Sequence, residues 1–422
     1  MSVFKRFKSD QRGSVATIFG FAAIPLIGFV GAAVDYSRAA NEMTKLQLAV
    51  DAVALSLLRE PSTANVQARA TTLIGSMFAT KDHVTLGTPV IRRDGSRVTV
   101  ELSATVRNAF MQVLGQNTVQ IGARGEAVQT KAELALVLDN TGSMADDITG
   151  GRKIDALQSA AKTLLRDLRD VANQHDTMKV SIVPFDTEVR LDANTYRNKP
   201  WFRWKNPVTD REDWKGYVFD RYGSYALSDR APDLTRPDTL FPVAVETEYK
   251  TEPVLKSLRT SGGRLAAVQP LTSLYGKSDF DRLNATIESM TPRGYTNVAL
   301  GTIWGLTTLT RSEPFSEGAP SADPTVKKYM VILTDGDNNF YHLNGSLSND
   351  ETAVDKNTAS TCTTVKDAGV EVFTIRLEKG DGKLLKACAS SSKNYFNVQS
   401  KADLEAAFKR ITDAITGARL TH

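Results

Sequence analysis

The sequence predicts an α/β protein in two parts: an apolar N-terminal helix leading into a small α+β module, then a doubly wound, mostly parallel sheet with an irregular insertion. Three observations carry this. Residues 13–34 contain no charged side chain. Residues 84–128 alternate in the period of two that marks half-buried strands. From residue 131, apolar runs too short for helices alternate with helix-period segments, the rhythm of βα units.

At 422 residues the chain exceeds one ordinary core, so more than one domain is expected. The net charge of +4 is small beside 52 basic and 48 acidic residues, and no long single-sign run marks a nucleic-acid surface. Nucleic acid is therefore excluded as a partner.

At 1.5 Å per residue, residues 13–34 make a helix of roughly 33 Å, enough to cross a bilayer core once. Lys5, Arg6, Lys8 and Arg12 precede it against Asp10 alone, while the following flank is mixed, with Asp35, Arg38, Glu42 and Lys45. The positive-inside rule then makes residues 1–12 a cytoplasmic tail and puts the rest of the chain outside the cytoplasm. A cleaved signal peptide is an alternative, with Val30-Gly31-Ala32 as the cut. A buried soluble helix is the other, but the segment is apolar on every face and carries Gly20, Pro25, Gly28 and Gly31, residues weak in soluble helices.

Residues 35–130 read as a helical stem and a small β module. Tyr36, Ala40, Met43, Leu46, Val50, Val53 and Leu57 recur at three- and four-residue steps, and Pro61 ends the helix. Asp94-Gly95 is a hairpin turn between strands at 88–93 and 97–104. The outline is pilin-like.

Residues 131–422 read as the second domain. Strands are expected at Leu134–Leu138, Val180–Phe185, Tyr329–Leu333 and Val370–Ile375, with a last helix from about Ser400. Ile154, Leu157, Ala161, Leu164, Leu165, Leu168 and Val171 mark one face of the helix after the first strand. Between about 191 and 266 the rhythm lapses into aromatic and turn residues, including Trp201, Trp204 and Trp214. This reads as an insertion whose aromatics pack it onto its host, with a ligand-binding surface as the alternative. Cys362 and Cys388 are the chain's two cysteines. In an oxidising compartment a bridge closing about 26 residues would stabilise by roughly 3.5 kcal/mol; two buried thiols are the alternative.

Asp139-Asn140-Thr141-Gly142-Ser143 follows the first apolar strand, Gly294-Tyr295-Thr296-Asn297 stands on a second loop, and Thr334-Asp335-Gly336 closes the third strand. Carboxyl ends of strands in an open α/β sheet are where ligands bind, so Asp139 and Asp335 can converge there. Two carboxylates and the hydroxyls of Thr141, Ser143 and Thr296 supply hard oxygen donors. They suit Mg²⁺, with Mn²⁺ and Ca²⁺ as alternatives.

These three elements, in this order, resemble the metal-ion-dependent adhesion site of a von Willebrand factor type A domain. The resemblance implies that Thr141 and Ser143 bind the ion directly, Asp139 directly or through water, Thr296 by its hydroxyl or by approaching when ligand binds, and Asp335 mainly through water. An acidic side chain of a partner would complete the site. Thr141 stands where Ser is common, which implies tuned binding. Arg12-Gly-Ser-Val-Ala-Thr-Ile-Phe-Gly-Phe-Ala, Gly31-Ala-Ala-Val-Asp35 and Leu46-Gln-Leu-Ala-Val-Asp-Ala-Val-Ala-Leu55 are similar to the N-terminus of TadE/TadG-like proteins of Flp (Tad) pilus assembly. Asp139-Asn-Thr-Gly-Ser-Met144, Gln269-Pro-Leu-Thr272 and Cys388-Ala-Ser to Asn394-Tyr-Phe-Asn397 resemble the TadG-type members. Two departures stand out. The insertion lacks the further cysteine pair common in such proteins, and Ile18 occupies the position where prepilin processing wants Glu, so the anchor is expected to stay uncut.

The resemblance implies a single-pass protein of the bacterial inner membrane, its bulk periplasmic or extracellular, binding other pilus-assembly proteins; the oligomeric state is left open. A surface adhesin for host or matrix ligands is the alternative use of the same site. A metal-dependent hydrolase is disfavoured, because His83, His175, His342 and His422 fall in no nucleophile-base motif and His342 reads as a surface loop residue. An ATPase is disfavoured by the absence of a phosphate-binding Gly-x-x-x-x-Gly-Lys-Ser/Thr loop.

Overall fold

The computed structural model describes residues 13–58, 65–78, 82–94, 97–128, 130–172, 175–245, 264–344 and 346–417. The expected cytoplasmic tail, Pro61 and Gly95 lie outside the described residues. The chain divides into two compact units at residues 129 and 130.

In the first unit, helix α1 runs unbroken from Gly13 to Leu58 with Pro25 inside it. It passes through two environments. Phe19, Phe21, Ile27 and Phe29 are exposed, whereas Leu46, Val50, Val53 and Leu57 are buried against a sheet. An 18-residue window of this helix has a mean hydropathy of 1.9, so it is long and apolar enough to cross a membrane. The sheet is antiparallel: β1 (Val84–Leu86), β2 (Val90–Asp94) and β4 (Thr118–Val128) flank or pair with β3 (Arg97–Arg107). Helix α2 (Val66–Phe78) adds Ala70, Ile74 and Phe78 to the same core.

The stem stripe is corrected in its first half. Tyr36 and Met43 are exposed, Ala40 likewise, and the face turned inward is Asp35, Ala39, Glu42 and Leu46. Polar contacts set this rotation. Asp35 accepts hydrogen bonds from the N–H groups of Ala109, Phe110 and Met111 at 2.8–2.9 Å, and Glu42 pairs with Lys45 at 2.9 Å and with His83 at 3.6 Å. An apolar count alone misses a face fixed by carboxylates.

The second unit is built on an eight-stranded sheet. Its strands are β5 (Lys131–Asp139), β6 (Met178–Phe185), β7 (Val189–Arg190), β8 (Tyr217–Val218), β9 (Gln269–Ser273), β10 (Val326–Thr334), β11 (Glu371–Leu377) and β12 (Tyr395–Val398). The order is β8-β7-β6-β5-β10-β11-β12, with β9 also paired to β6. From β6 to β12 every neighbour is parallel, while β7, β8 and β9 form an antiparallel edge.

Both faces of the parallel strands are covered, so their sequences read as continuous apolar runs. Leu134, Leu136, Leu138, Val180, Ile182, Val331 and Leu333 face one core with α3 (Lys153–Asp170), α4 (Lys277–Glu288) and α8 (Lys401–Gly417). Ala135, Val137, Val183, Met330 and Ile332 face the other, with α5 (Val298–Leu309) and α6 (Glu351–Asp367). Val171, which closes the α3 stripe in the sequence, is exposed at the helix end. Cys362 of α6 and Cys388 of α7 (Gly382–Cys388) form a disulfide in the second core. Trp201 and Trp214 are fully buried there, in edge and tilted contacts with Phe202, Phe241 and Trp204. These aromatics are core, as large buried rings usually are.

Candidate metal centre

Three loops meet at the carboxyl ends of the two central strands. β5 and β10 are parallel neighbours with Leu138 opposite Leu333, so Asp139 and Thr334 arrive side by side. Thr334 Oγ1 donates to Asp139 Oδ2 at 2.6 Å, and the Thr141 N–H donates to Asp139 Oδ1 at 2.8 Å. A turn of 3₁₀ helix at Gly142–Ala145 brings Ser143 across, where its Oγ donates to Asp335 Oδ1 at 2.6 Å and lies 3.2 Å from Thr141 Oγ1. Asp139, Thr141 and Asp335 are buried.

Thr296 comes from the loop before α5. Backbone contacts fasten that loop to the first one: Gly142 N–H to Gly294 O at 3.1 Å, Arg293 N–H to Asn140 O at 2.8 Å, and Asn140 Nδ2 to Thr291 O at 2.7 Å. Asn339 fastens it to the third, its Oδ1 accepting from Thr296 N–H at 3.3 Å while its own N–H donates to Thr296 O at 3.0 Å. At Gly336 a Cβ would stand 3.4 Å from Thr296 Oγ1 and 3.7 Å from Ser143 Oγ. The missing side chain leaves a cradle between two hydroxyls. The five residues singled out in the sequence therefore share one place.

Charge sharpens the picture. Burial, and then the charge of Asp335, pushes the Asp139 carboxyl up to about 7. Asp335 Oδ2 meets the ammonium of Lys153 at 2.9 Å, and the same ammonium reaches Glu378 Oε2 at 2.9 Å. Lys153 is fully buried, yet the two carboxylates outweigh burial and raise its pKa. Glu378 is drawn below its usual range, chiefly by the Lys153 hydrogen bond, and its backbone sits at φ 67°, a costly conformation for a residue with a Cβ. Among the described residues no cluster of three His, Cys, Asp or Glu side chains could hold a metal ion, so a cation here must draw on hydroxyls as well as carboxylates. The donors present are all hard oxygens, which fits Mg²⁺ or a similar ion.

Sequence reasoning missed Lys153 and the buried ion cluster behind the loops. Lys153 opens α3, where a cation opposes the positive end of the helix dipole; that misplacement was the available signal for a counter-charge. Arg293 donates to Asp186 Oδ2 at 2.7 Å and to Glu188 Oε2 at 2.6 Å, with all three side chains at most 2% exposed. Burial works to lower the Arg293 pKa, but the two carboxylates raise it far above its ordinary value and keep the guanidinium charged. Asp220 accepts from Asn297 Nδ2 and from the His342 N–H, each at 2.9 Å, and burial pushes its carboxyl up to about 7 despite these bonds. His342 is corrected from a surface residue to a buried one. Its ring stacks on Phe219 with centroids 3.7 Å apart, and burial lowers its pKa to about 3.

Residues 13–56 match the family model Tad, described as "Putative Flp pilus-assembly TadE/G-like". The TadE/G-like segment thus covers most of α1. No curated protein matches the chain. Among solved structures, the chain is similar to the pilus adhesin SpaC of Lactobacillus rhamnosus GG at 13% identity and a TM-score of 0.41, over 80% of this chain and 35% of SpaC. It therefore spans about a third of that protein's length. It is also similar to the von Willebrand factor domain of the type V pili tip protein Mfa5 of Porphyromonas gingivalis, at 11% identity and a TM-score of 0.41, over 70% of this chain and 98% of that one. A third is proximal thread matrix protein 1 of the mussel byssus with a zinc-occupied adhesion-site motif, at 12% identity and a TM-score of 0.35, over 68% and 48%. The fold class read from the sequence, an apolar N-terminal helix followed by an α/β domain on a central sheet, is the observed one.

Proposed function

We propose that this chain is a membrane-anchored, extracytoplasmic binding protein of Flp/Tad-type pilus assembly, which takes hold of a partner's acidic side chain through a divalent cation. In this reading residues 1–12 lie in the cytoplasm, 13–34 cross the inner membrane once, 35–130 form stem and β module, and 131–422 carry the binding domain. The TadE/G-like match supports the pilus setting. The uncharged helix with its exposed apolar side chains supports the anchor.

The observation that carries the metal reading is the convergence of Asp139, Thr141, Ser143, Thr296 and Asp335 around the side-chain-free Gly336. Mg²⁺ or Mn²⁺ would supply a positive centre with a coordination position open to an incoming carboxylate. The chain's own residues do the positioning. Thr334 and the Thr141 N–H orient the Asp139 carboxylate, and Ser143 and Lys153 orient that of Asp335. The fastened 291–297 loop presents Thr296.

The test is thermal unfolding of the full chain in detergent with and without Mg²⁺ or Mn²⁺. Ion at about a hundred times its dissociation constant is expected to stabilise the native chain by about 2.7 kcal/mol, and Asp139→Ala to remove that gain. An unshifted native chain, together with intact pilus assembly in Asp139→Ala cells, would end the metal-dependent reading.

A further inference from the structure

The loop after β3 carries Phe110, Met111, Val113 and Leu114, and it packs along the part of α1 read above as membrane-spanning. A Cβ on Gly31 would fall 2.7 Å from Phe110 Cβ, and one on Gly28 would lie 3.7 Å from Leu114 Cδ1. Phe110 also closes a groove with Leu26, Ile27, Val30 and Val34, a volume of about 230 Å³. Asp35, one residue past the uncharged segment, ties the loop's start to the helix by three backbone N–H groups. From Val34 back to Gly28 the helix rises about 9 Å, so the loop follows the span by that distance.

The loop's surface is unlike that of a loop in water. Val113 is 89% exposed, Leu114 59% and Phe110 52%. Part of its backbone is nevertheless bonded within the loop: Val113 N–H donates to Phe110 O, Gly115 N–H to Gln112 O and Gln116 N–H to Met111 O, while Asn108 Nδ2 donates to Gln116 O. The exposed polar side chain within 110–114 is Gln112, whose amide donates to Asn108 O, and internal bonding of polar groups under an apolar exterior suits a medium poor in water. Arg38 pairs with Asp35 at 3.9 Å and Tyr36, next in the chain, is exposed, so a cation and an aromatic ring stand at the end of the uncharged segment, where such groups meet headgroups.

We infer that residues 110–114 form a wedge that inserts among the acyl chains of the outer-facing leaflet beside α1, making a second membrane contact. The occupant of this apolar surface is lipid, because the surface is continuous with the lipid-facing side of the helix. The expected depth, about 9 Å, falls in the range of roughly 5–10 Å at which interfacial elements sit. The inference rests on the membrane-spanning reading.

The experiment distinguishes the two. The chain's two cysteines are bridged, so a single introduced cysteine can be labelled alone. Bimane is placed on Val113→Cys, Leu114→Cys, Ile27→Cys and Val208→Cys in the full chain, reconstituted in phosphatidylcholine–phosphatidylglycerol vesicles. A nitroxide near the head of the acyl chain serves as quencher. Positions 113 and 114 are expected to be quenched at least about half as strongly as position 27, and position 208, on an exposed loop, not at all. Quenching at 27 with 113 and 114 open to aqueous iodide would overturn the wedge and leave the span standing. Shielding of 113 and 114 from iodide without lipid quenching would assign the loop to a protein contact and overturn it equally. No quenching at 27 would defeat the spanning reading, and the wedge with it.

Discussion

Two buried ion clusters stand next to each other at the top of the sheet, and they are finished to different degrees. In one, the Arg293 guanidinium lies between Asp186 and Glu188, all three at most 2% exposed. In the other, the Lys153 ammonium is shared between Asp335 and the partly exposed Glu378. Asp139 faces that same Asp335, and no ion pair is found for it among the described residues. The closed cluster shapes the loop that carries Thr296. The first sets one guanidinium against two carboxylates, and the second sets one ammonium against three carboxyls, counting Asp139, where oxygen donors converge. The larger carboxyl excess lies at the loops for which a cation is proposed above, and the Arg293 cluster lies behind them as scaffold.

Arg293→Met is the harshest way to break the contrast. It strands two carboxylates in the interior, and unfolding by denaturant should show a loss of about 3–5 kcal/mol. Any ion-dependent gain should shrink with it, since the 291–297 loop loses one of its tethers while its backbone contacts remain. A smaller loss would mean that the cluster is wetter than its geometry implies.

Asp220→Asn probes the layer that joins the clusters, through the Asn297 amide. A carboxyl raised to about 7 when folded favours protonation in the native chain. Its contribution is therefore fully present below about pH 4 and lost as pH rises towards 7. Across that window the native chain should lose on the order of 3 kcal/mol that the Asn variant keeps, read as diverging melting temperatures. Parallel curves would remove Asp220 from the account.

Lys153→Met sharpens the comparison from the other side. Without the ammonium, Asp139, Asp335 and Glu378 repel one another uncompensated. The ion-free chain should melt lower, and the rise on adding Mg²⁺ should exceed that of the native chain. The same rise in both would show that Lys153 does not share the site's charge balance. The mildest change is Thr141→Ser, which keeps the hydroxyl; apparent affinity should move by less than about tenfold, or about 1.4 kcal/mol, in an ion titration.

How much of this was legible follows from which forces act locally. The apolar runs ending at Asp139 and Thr334 announced strands buried on both faces, and their ends fixed where the carboxylates would meet. Strands β7 and β8 are two residues each and carry no periodic signal, so the antiparallel edge stayed hidden. Arg293, between Pro292 and Gly294, looks like any turn residue until its partners across 105 and 107 positions are known. The stripe of Tyr36, Ala40 and Met43 misled because Asp35 and Glu42, polar by type, hold the inward face.

The unbroken course of α1 has a mechanical consequence. Its 46 residues make a rod of about 69 Å with no hinge between the apolar part and the part packed on the β module. On the membrane-spanning reading proposed above, a tilt of the apolar end would be carried along the helix to the module, and a pull on the module would return as torque on the span. On that reading the first unit would work as a lever with its fulcrum at the membrane surface.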